Sequence, residues 1–495
     1  MSRISLPKEP RRFQMYIGGE FTDGASGDTT TRHSPAHGTA VAQWPSGSAA
    51  DAQRAIAAAR RAFDAGPWPH LSAGERATVL FKVADLIEQC AAEFGLIESL
   101  ETGKPITQAI GEIKGAVDVW RFAAGAARVV KGDAHNNLGD RVIAMVLREP
   151  VGVVGLITPW NFPFFILAER LPFILAAGCT VVVKPSEATS GTTLKLCELL
   201  HEAGLPAGVV NVVTGRGSVV GQCLLDSDQV DMVSVTGSIA TGRKAIAASA
   251  GSIKKLGLEL GGKNPHIVFA DANLDEAADG VAFGMAFNAG QCCVGGSRLV
   301  VERSIAAEFT EKLAGKMRRI RVGDPLDEQT QVGALFDEAH MEKVLSYVDD
   351  GVRMGARIVC GGARTDDQNG YFVQPTLMTD VRPEMPLVRE EIFGPVLAVV
   401  PFDTFDEALE IANDSVFGLS ASIWTQDLTK ALRAMRKVQA GRVWINTTLD
   451  NGPETPLGGV KQSGLGREAG LAGIEEYTEL KTAHINLHPR VHWIS

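Results

Sequence analysis

The stretch Val153 to Glu187, VVGLITPWNFPFFILAERLPFILAAGCTVVVKPSE, decides the fold. It opens on an apolar, β-branched run, Val153–Thr158, and passes through Pro159-Trp160-Asn161-Phe162-Pro163 into an apolar helical stretch. It then returns to a second β-branched run, Thr180–Lys184. Strand, helix and strand in this order form a βαβ unit, which belongs to a parallel sheet. The alternation continues through Val209–Thr214, Asp231–Thr236 and Lys255–Leu260, with starts roughly 20–30 residues apart. Right-handed crossovers place the helices on both faces of that sheet.

Downstream, a second alternating region begins after Gly262 with Ile267-Val268-Phe269. It runs through Leu299–Val301, Val396–Val400, Ala421–Trp424 and Val443–Asn446, and reads as a second α/β domain. Upstream, Met15–Gly19 reads as a strand and turn, and an Ala-rich helix starts near Ala49. Residues 75–131 are mostly helical, with Val79, Val83, Leu86 and Ile87 at three- and four-residue spacing, and Gly103-Lys104-Pro105 breaks the run. The final run, Tyr477–Ile485, is a strand outside both domains; it needs an edge to pair with, and another subunit can supply one.

Composition sets outer limits. The 495 residues suffice for two to four domains and need no disulfide or metal to close a core. With 45% hydrophobic and 21% charged residues the chain is globular rather than disordered. A net charge of −10 without a basic run argues against nucleic acid as a partner. The N-terminal MSRISLPKEPRRF lacks the apolar core of a signal peptide. The longest apolar run, Leu171–Val183, is too short to span a bilayer. The seven cysteines form no C-x-x-C or Cys/His pattern, so no metal site is implied, and reduced thiols point to a cytoplasmic enzyme.

A G-x-G-x-x-G fingerprint is absent. Gly215-Arg216-Gly217 with Gly221 is one residue too wide, and Gly237 and Gly242 flank a second strand-to-helix turn in which Ser238 can donate to a phosphate. Lys184-Pro185-Ser186-Glu187 closes another strand, where an ammonium and a carboxylate can grip a ribose, or form a solvated loop ion pair. In GQCCVGGSR the adjacent Cys292 and Cys293 sit in a polar, glycine-bearing loop, the setting of a thiolate nucleophile as well as of a structural pair. Glu259 ends an apolar strand before Gly261-Gly262, as a general base or a solvent-facing terminus. Asn161 opens the helix after Thr158, as an oxyanion donor or a helix cap.

Seven motifs in order resemble the NAD(P)-dependent aldehyde dehydrogenase superfamily over essentially the whole chain. They are PWNFP (159–163), KPSE (184–187), TGS (236–238), LELGGKNP (258–265), FNAGQCCVGGSR (287–298), EEIFGPV (390–396) and PLGGVKQSGLGRE (456–468). The resemblance implies that Cys293 rather than Cys292 is the nucleophile, that Glu259 is the base, and that Asn161 with the Cys293 N–H holds the oxyanion. It assigns Trp160, Lys184, Ser186, Glu187, Gly215, Gly237, Ser238, Glu391 and Phe393 to the cofactor. It also implies a Rossmann-like cofactor domain (1–126 and 150–261), an α/β catalytic domain (262–477) and a hairpin-plus-strand oligomerisation element (127–149 and 478–495). Pairing of that element across subunits makes a homodimer or homotetramer.

The resemblance places Phe162, Phe165, Glu169, Phe287, Cys292, Asp450 and Asn451 in the substrate pocket. On a continuous helix Asn161 and Glu169 would share a face two turns apart. The polarity of Glu169, Asp450 and Asn451 suggests a hydroxylated aldehyde; alternatively Glu169 pairs with Arg170 or another cation outside the pocket. NNLGD (136–140), GPETPLGG (452–459) and the closing HWIS (492–495) are similar to bacterial L-sorbosone dehydrogenases, which implies a sugar-derived ketoaldehyde. Betaine aldehyde and aminoaldehyde dehydrogenases share much of the pattern and give the alternative. Glu187 favours NAD, because a carboxylate bonds a 2′-hydroxyl and repels a 2′-phosphate, with NADP possible. Arg170 stands where relatives carry a lysine beside a glutamate matching Glu468; an arginine does not release a proton, which puts a relay there in doubt. A binding protein that had lost catalysis would be marked by loss of Cys293, Glu259 or Asn161, and all three are present.

Overall fold

The computed structural model describes residues 6–365, 370–489 and 493–494. The first five residues of the N-terminal arm, and His492 and Ser495 of the closing HWIS, lie outside these. The first sheet has eight strands in the order Gly464–Leu465, Lys255–Glu259, Met232–Thr236, Val153–Ile157, Thr180–Lys184, Val210–Val212, Met15–Ile17 and Glu20–Thr22. The five from Lys255–Glu259 to Val210–Val212 run parallel, with registers such as Val154↔Val181 and Val233↔Gly155. Thr180–Lys184 is buried throughout, as a strand covered on both faces by helices must be.

The chain leaves Val153–Ile157 in one direction, to 180–184 and 210–212, and returns on its other side at 232–236. The strand order therefore reverses between Val153–Ile157 and Met232–Thr236. Open α/β sheets bind ligands at the carboxyl ends of strands at such a point. Here those ends lead into Trp160-Asn161 and into Gly237-Ser238.

The second sheet has seven strands, six of them parallel: Thr376–Thr379, Val396–Phe402, Gly296–Glu302, Asn264–Val268, Ser420–Trp424 and Arg442–Ile445, with Arg357–Cys360 antiparallel at one edge. Helices Ala73–Gln89, Ala91–Thr102 and Ile106–Ala126 fill the region read as helical, and the break falls at Gly103, whose φ is 82°. The first two are separated only at Cys90, while Ser72 and Glu75 cap the start of Ala73–Gln89 reciprocally. Trp120, Phe94, Phe164 and Phe173 are fully buried in the core these helices share with the first sheet. Burying each such side chain contributes about 1.5–3 kcal/mol.

The hairpin-plus-strand element forms as the resemblance implied: the terminal strand Thr478–Asn486 pairs antiparallel with Val142–Pro150 over nine residues, Thr478↔Pro150 to Asn486↔Val142, and Asp133–His135 adds a third strand. Two expectations change. The stretch 464–477, read as part of the second domain, adds Gly464–Leu465 to the first sheet and seats Ile474 and Tyr477 in the first core. The apolar helix after PWNFP is two short helices, Pro163–Ala168 and Leu171–Ala177. Prolines at 163 and 172 start each one, so Asn161 precedes the first and Glu169 caps its end; they do not share a helical face. Among the described residues no helix is long and apolar enough to cross a membrane.

Candidate active site

The loop before Gly296–Glu302 is held by its own amides. The Asn161 Nδ2 donates to the Gln291 carbonyl at 3.0 Å. Asn288 Nδ2 donates to the Asn161 carbonyl at 3.0 Å and to the Gln291 carbonyl at 3.1 Å, and Gln291 Nε2 returns a bond to the Asn288 carbonyl at 3.1 Å. Asn288 and Ala289 both take positive φ, 51° and 55°. At Gly290 a Cβ would lie 2.2 Å from the Gly394 carbonyl carbon, so only glycine lets this turn pack on the loop after Glu391. Asn264 Nδ2 donates to the Cys293 and Gly295 carbonyls at 2.7 and 2.8 Å and fixes the backbone around the thiol.

The two cysteines part company here. Cys292 is buried in an apolar cluster with Phe162 and Ile166. Cys293 lines two cavities. Burial pushes its thiol well above the ordinary range, and Cys292, Glu391, Glu259 and Glu169 push it the same way.

Glu259 ends the strand Lys255–Glu259, buried, with Oε1 unbonded. Its carboxyl packs so close to Gly458 that a Cβ there would lie 2.9 Å from Oε1. Burial raises its pKa to about 8, with Arg170 acting against the shift. A carboxyl poised near neutrality with a free oxygen is suited to take a proton from water. Behind it, Arg170 lies 3.4 Å from Glu468, which accepts from Tyr477 at 2.9 Å and Ser234 at 3.2 Å. Arg170 also donates to the Ile166 carbonyl at 2.9 Å. This network holds a permanent charge near Glu259 rather than a proton carrier.

The first cavity is a cleft of about 260 Å³ at the switch point of the first sheet, lined by Trp160, Asn161, Gly237, Ser238, Glu391 and Phe393 beside Cys293. Ser238 caps the helix Ile239–Ser249, accepting from the Thr241 N–H at 3.2 Å. The Thr236 hydroxyl at the same wall is buried without a partner. Donors and a helix N-terminus facing one cleft suit a pyrophosphate. Glu391 accepts from the Gly262 N–H at 3.0 Å, and a Cβ on Gly261 would lie 2.1 Å from its Oε2. Phe393, at φ 61°, stands edge-on to Trp160 at 5.5 Å. These residues fit a dinucleotide.

Lys184 is buried at the end of its strand, with its pKa lowered by burial and raised by Glu187. Glu187 lines a separate cavity beside Arg32 and Asp337, and the Ser186 hydroxyl accepts from the Ala188 N–H at 3.3 Å. None of the three lines the cleft at Cys293. Gly215 does not line it either: its φ is 121° and a Cβ would lie 2.6 Å from the Gly47 carbonyl oxygen, a packing demand.

The second cavity, a tunnel of about 350 Å³, shares Ile166 and Cys293 with the first and is walled by Phe162, Phe165, Phe287, Cys292, Glu169 and Asn451. Glu169 lies in this wall and also 3.9 Å from Arg170, so it fits both earlier readings in part. Burial raises its pKa to about 7. Asp450 does not line the tunnel: its carboxylate accepts from the Thr447 hydroxyl and its carbonyl from the Trp444 indole at 2.8 Å, which turns it into the loop's own turn. Glu112 and Arg442 also line the tunnel, and His340 lines the cleft. No local motif marked these three.

A thiol that lines two cavities, with the buried Glu259 carboxyl among the charges acting on it, suits thiol-dependent oxidation. Residues 21–483 match the aldehyde dehydrogenase family, and the chain belongs to it. It is 51% identical to an NAD-dependent aldehyde dehydrogenase of Sinorhizobium meliloti, whose structure superposes with a TM-score of 0.97 over 100% of both chains. A betaine aldehyde dehydrogenase of Staphylococcus aureus, solved in complex with NAD+, is 37% identical with a TM-score of 0.95, covering 97% of this chain and 96% of that one. A betaine aldehyde dehydrogenase of Bacillus subtilis is 40% identical over 97% of this chain and 99% of its own length. The relatives so named are betaine aldehyde dehydrogenases and an NAD-dependent aldehyde dehydrogenase, not sorbosone dehydrogenases.

Proposed function

We propose that this chain oxidises an aldehyde with a polar tail to its carboxylic acid, with NAD+ as oxidant. The observation that carries the reading is the position of Cys293, whose side chain lines both the cleft and the tunnel. The Cys293 thiolate attacks the aldehyde carbon and forms a C–S bond. The carbonyl oxygen becomes an alkoxide, held by the Asn161 amide and the Cys293 N–H. NAD+ bound in the cleft supplies the acceptor for the hydride that leaves when the alkoxide collapses. A thioester stays on Cys293. Glu259 takes a proton from water, the hydroxide adds to the thioester, and the acid leaves as the thiolate reforms. Glu391, Trp160, Gly237, Ser238 and Phe393 hold the cofactor, with Lys184, Ser186 and Glu187 at its adenosine end.

For the tail, betaine aldehyde or an aminoaldehyde is the candidate that the named relatives support. A hydroxylated tail, as in a sugar-derived ketoaldehyde such as L-sorbosone, is supported by Asn451 and Arg442 in the same wall. The seven free cysteines accord with a cytoplasmic protein. Ile143, Met145, Leu147 and Ile485 leave an apolar surface on the three-stranded sheet, which suits burial in a homodimer or homotetramer.

Formation of reduced nicotinamide, followed by absorbance, tests the reading with NAD+ and NADP+ against betaine aldehyde, aminoaldehydes, L-sorbosone, glycolaldehyde and aliphatic aldehydes. Turnover of polar aldehydes with NAD+, lost in Cys293→Ser, is expected. Preference for long aliphatic aldehydes would overturn the polar tail, and turnover surviving in Cys293→Ser would overturn the mechanism.

A further inference from the structure

Arg442 opens the last strand of the second sheet, Arg442–Ile445, and its side chain lines the tunnel with Glu169, Asn451 and Cys293. The guanidinium is anchored. It donates to the Asn451 side-chain oxygen, and at 3.3 Å each to the Thr455 carbonyl, the Thr455 hydroxyl and the Pro456 carbonyl. Every one of these acceptors is neutral.

The other charges in the tunnel wall have partners. Glu112 is bonded to the buried ammonium of Lys104. Glu169 lies 3.9 Å from Arg170. Among the described residues no carboxylate lies within 4.0 Å of Arg442. Burial lowers its pKa, while Glu169 and Glu259 raise it, so its field reaches both carboxyls without contact. A fixed guanidinium with neutral anchors places a positive charge beside Asn451 in the tunnel wall. An incoming tail meets that charge where screening by water is weak.

We propose that Arg442 is a specificity-determining residue that selects anionic or neutral hydroxylated aldehydes over cationic ones. This rests on the polar-tail reading, with the tunnel as the aldehyde site, and within it sets the hydroxylated tail above the cationic tail of betaine aldehyde. A hydroxyl or carboxylate can accept from the guanidinium, whereas a quaternary ammonium can only be repelled by it. Phe162, Phe165 and Phe287 pack the apolar part of a tail of any charge, so charge is the variable that Arg442 controls.

Three aldehydes isolate that variable. Betaine aldehyde is cationic, 3,3-dimethylbutanal is its neutral carbon isostere, and succinic semialdehyde is anionic. Their kcat/KM values are compared in the wild type, in Arg442→Gln and in Arg442→Lys. In Arg442→Gln the ratio of betaine aldehyde to its isostere rises about tenfold, the effect of one fixed charge at partly screened range. The ratio of succinic semialdehyde to the isostere falls, and Arg442→Lys keeps both ratios near wild type. Uniform loss on all three aldehydes, with ratios unchanged, would make Arg442 a loop clamp and overturn the inference while leaving the polar-tail reading standing. No turnover of any aldehyde by the wild type would overturn both.

Discussion

The Asn161 amide donates to the Gln291 carbonyl at 3.0 Å, and this bond ties the end of a first-sheet strand to the loop that carries Cys293. An asparagine amide has two N–H bonds, so one fixes the loop and the other is available to an oxyanion at Cys293. In the proposed mechanism the same side chain both holds the Cys293 loop and stabilises the charge that thiolate attack creates.

Asn161→Ala removes both. Loss of one oxyanion donor lowers kcat by about 10²–10³-fold. Steady-state kinetics should show this with KM for NAD+ little changed, since the cleft keeps Ser238 and Glu391. A fall in kcat of less than about fivefold would take Asn161 out of the oxyanion site.

The pH profile follows from two raised groups. Glu259 is held near 8 by burial, and the Cys293 thiol is held above its ordinary value. Both act in the deprotonated form, so activity is lost as pH falls and gained as pH rises. With a base of pKa about 8, kcat at pH 7 is about a tenth of its plateau. In Glu259→Gln the step near 8 disappears from deacylation. A profile flat from pH 6 to 9 would contradict this assignment.

Gly261 is a test of the cofactor cleft. A Cβ at 261 would fall 2.1 Å from Glu391 Oε2, and the carboxylate must swing away. Gly261→Ala should raise KM for NAD+ about tenfold, the value of one hydrogen bond to a charged group. Titration of NAD+ by protein fluorescence checks the same shift without turnover. Unchanged NAD+ affinity would place the ribose contact elsewhere.

Lys104 supports the tunnel floor. Its ammonium is buried between Glu98, at 2.8 Å, and Glu112, and it lies 4.2 Å over the Phe162 ring. Lys104→Met leaves two carboxylates buried without their cation, at a cost of about 3–5 kcal/mol. Denaturant unfolding of the variant measures this. A change under about 1 kcal/mol would show that water or protonation already neutralises the cluster.

Much of the fold was legible because its strands are β-branched runs buried on both faces, as at Thr180–Lys184. The terminal strand was legible as a strand from its own residues, but its place beside the hairpin came from the family resemblance alone, since Thr478–Asn486 meets Val142–Pro150 across some 330 residues and no local pattern encodes that distance. The break at Glu169–Arg170 was hidden by the apolar continuity of 163–177, although Pro172 marked it. In the site, Glu259 and Cys293 stood out as polar groups beside glycines, and Asn161 as a polar group between prolines where a strand gives way to a helix. Arg442 did not, because an arginine beginning a strand looks like any solvated terminus until Thr455 and Pro456 are brought around it. Asp450 looked like a pocket acid but turns to Thr447.

The central claim is that Cys293 carries the acyl group. Peptide mass mapping of Glu259→Gln after incubation with NAD+ and an accepted aldehyde at pH 9 tests it directly, because acylation proceeds while hydrolysis is blocked. The account predicts one reduced nicotinamide per chain and an acyl mass on the peptide, placed on Cys293 by fragmentation. Acyl mass on Cys292, or sustained turnover with neither cysteine modified, would contradict it.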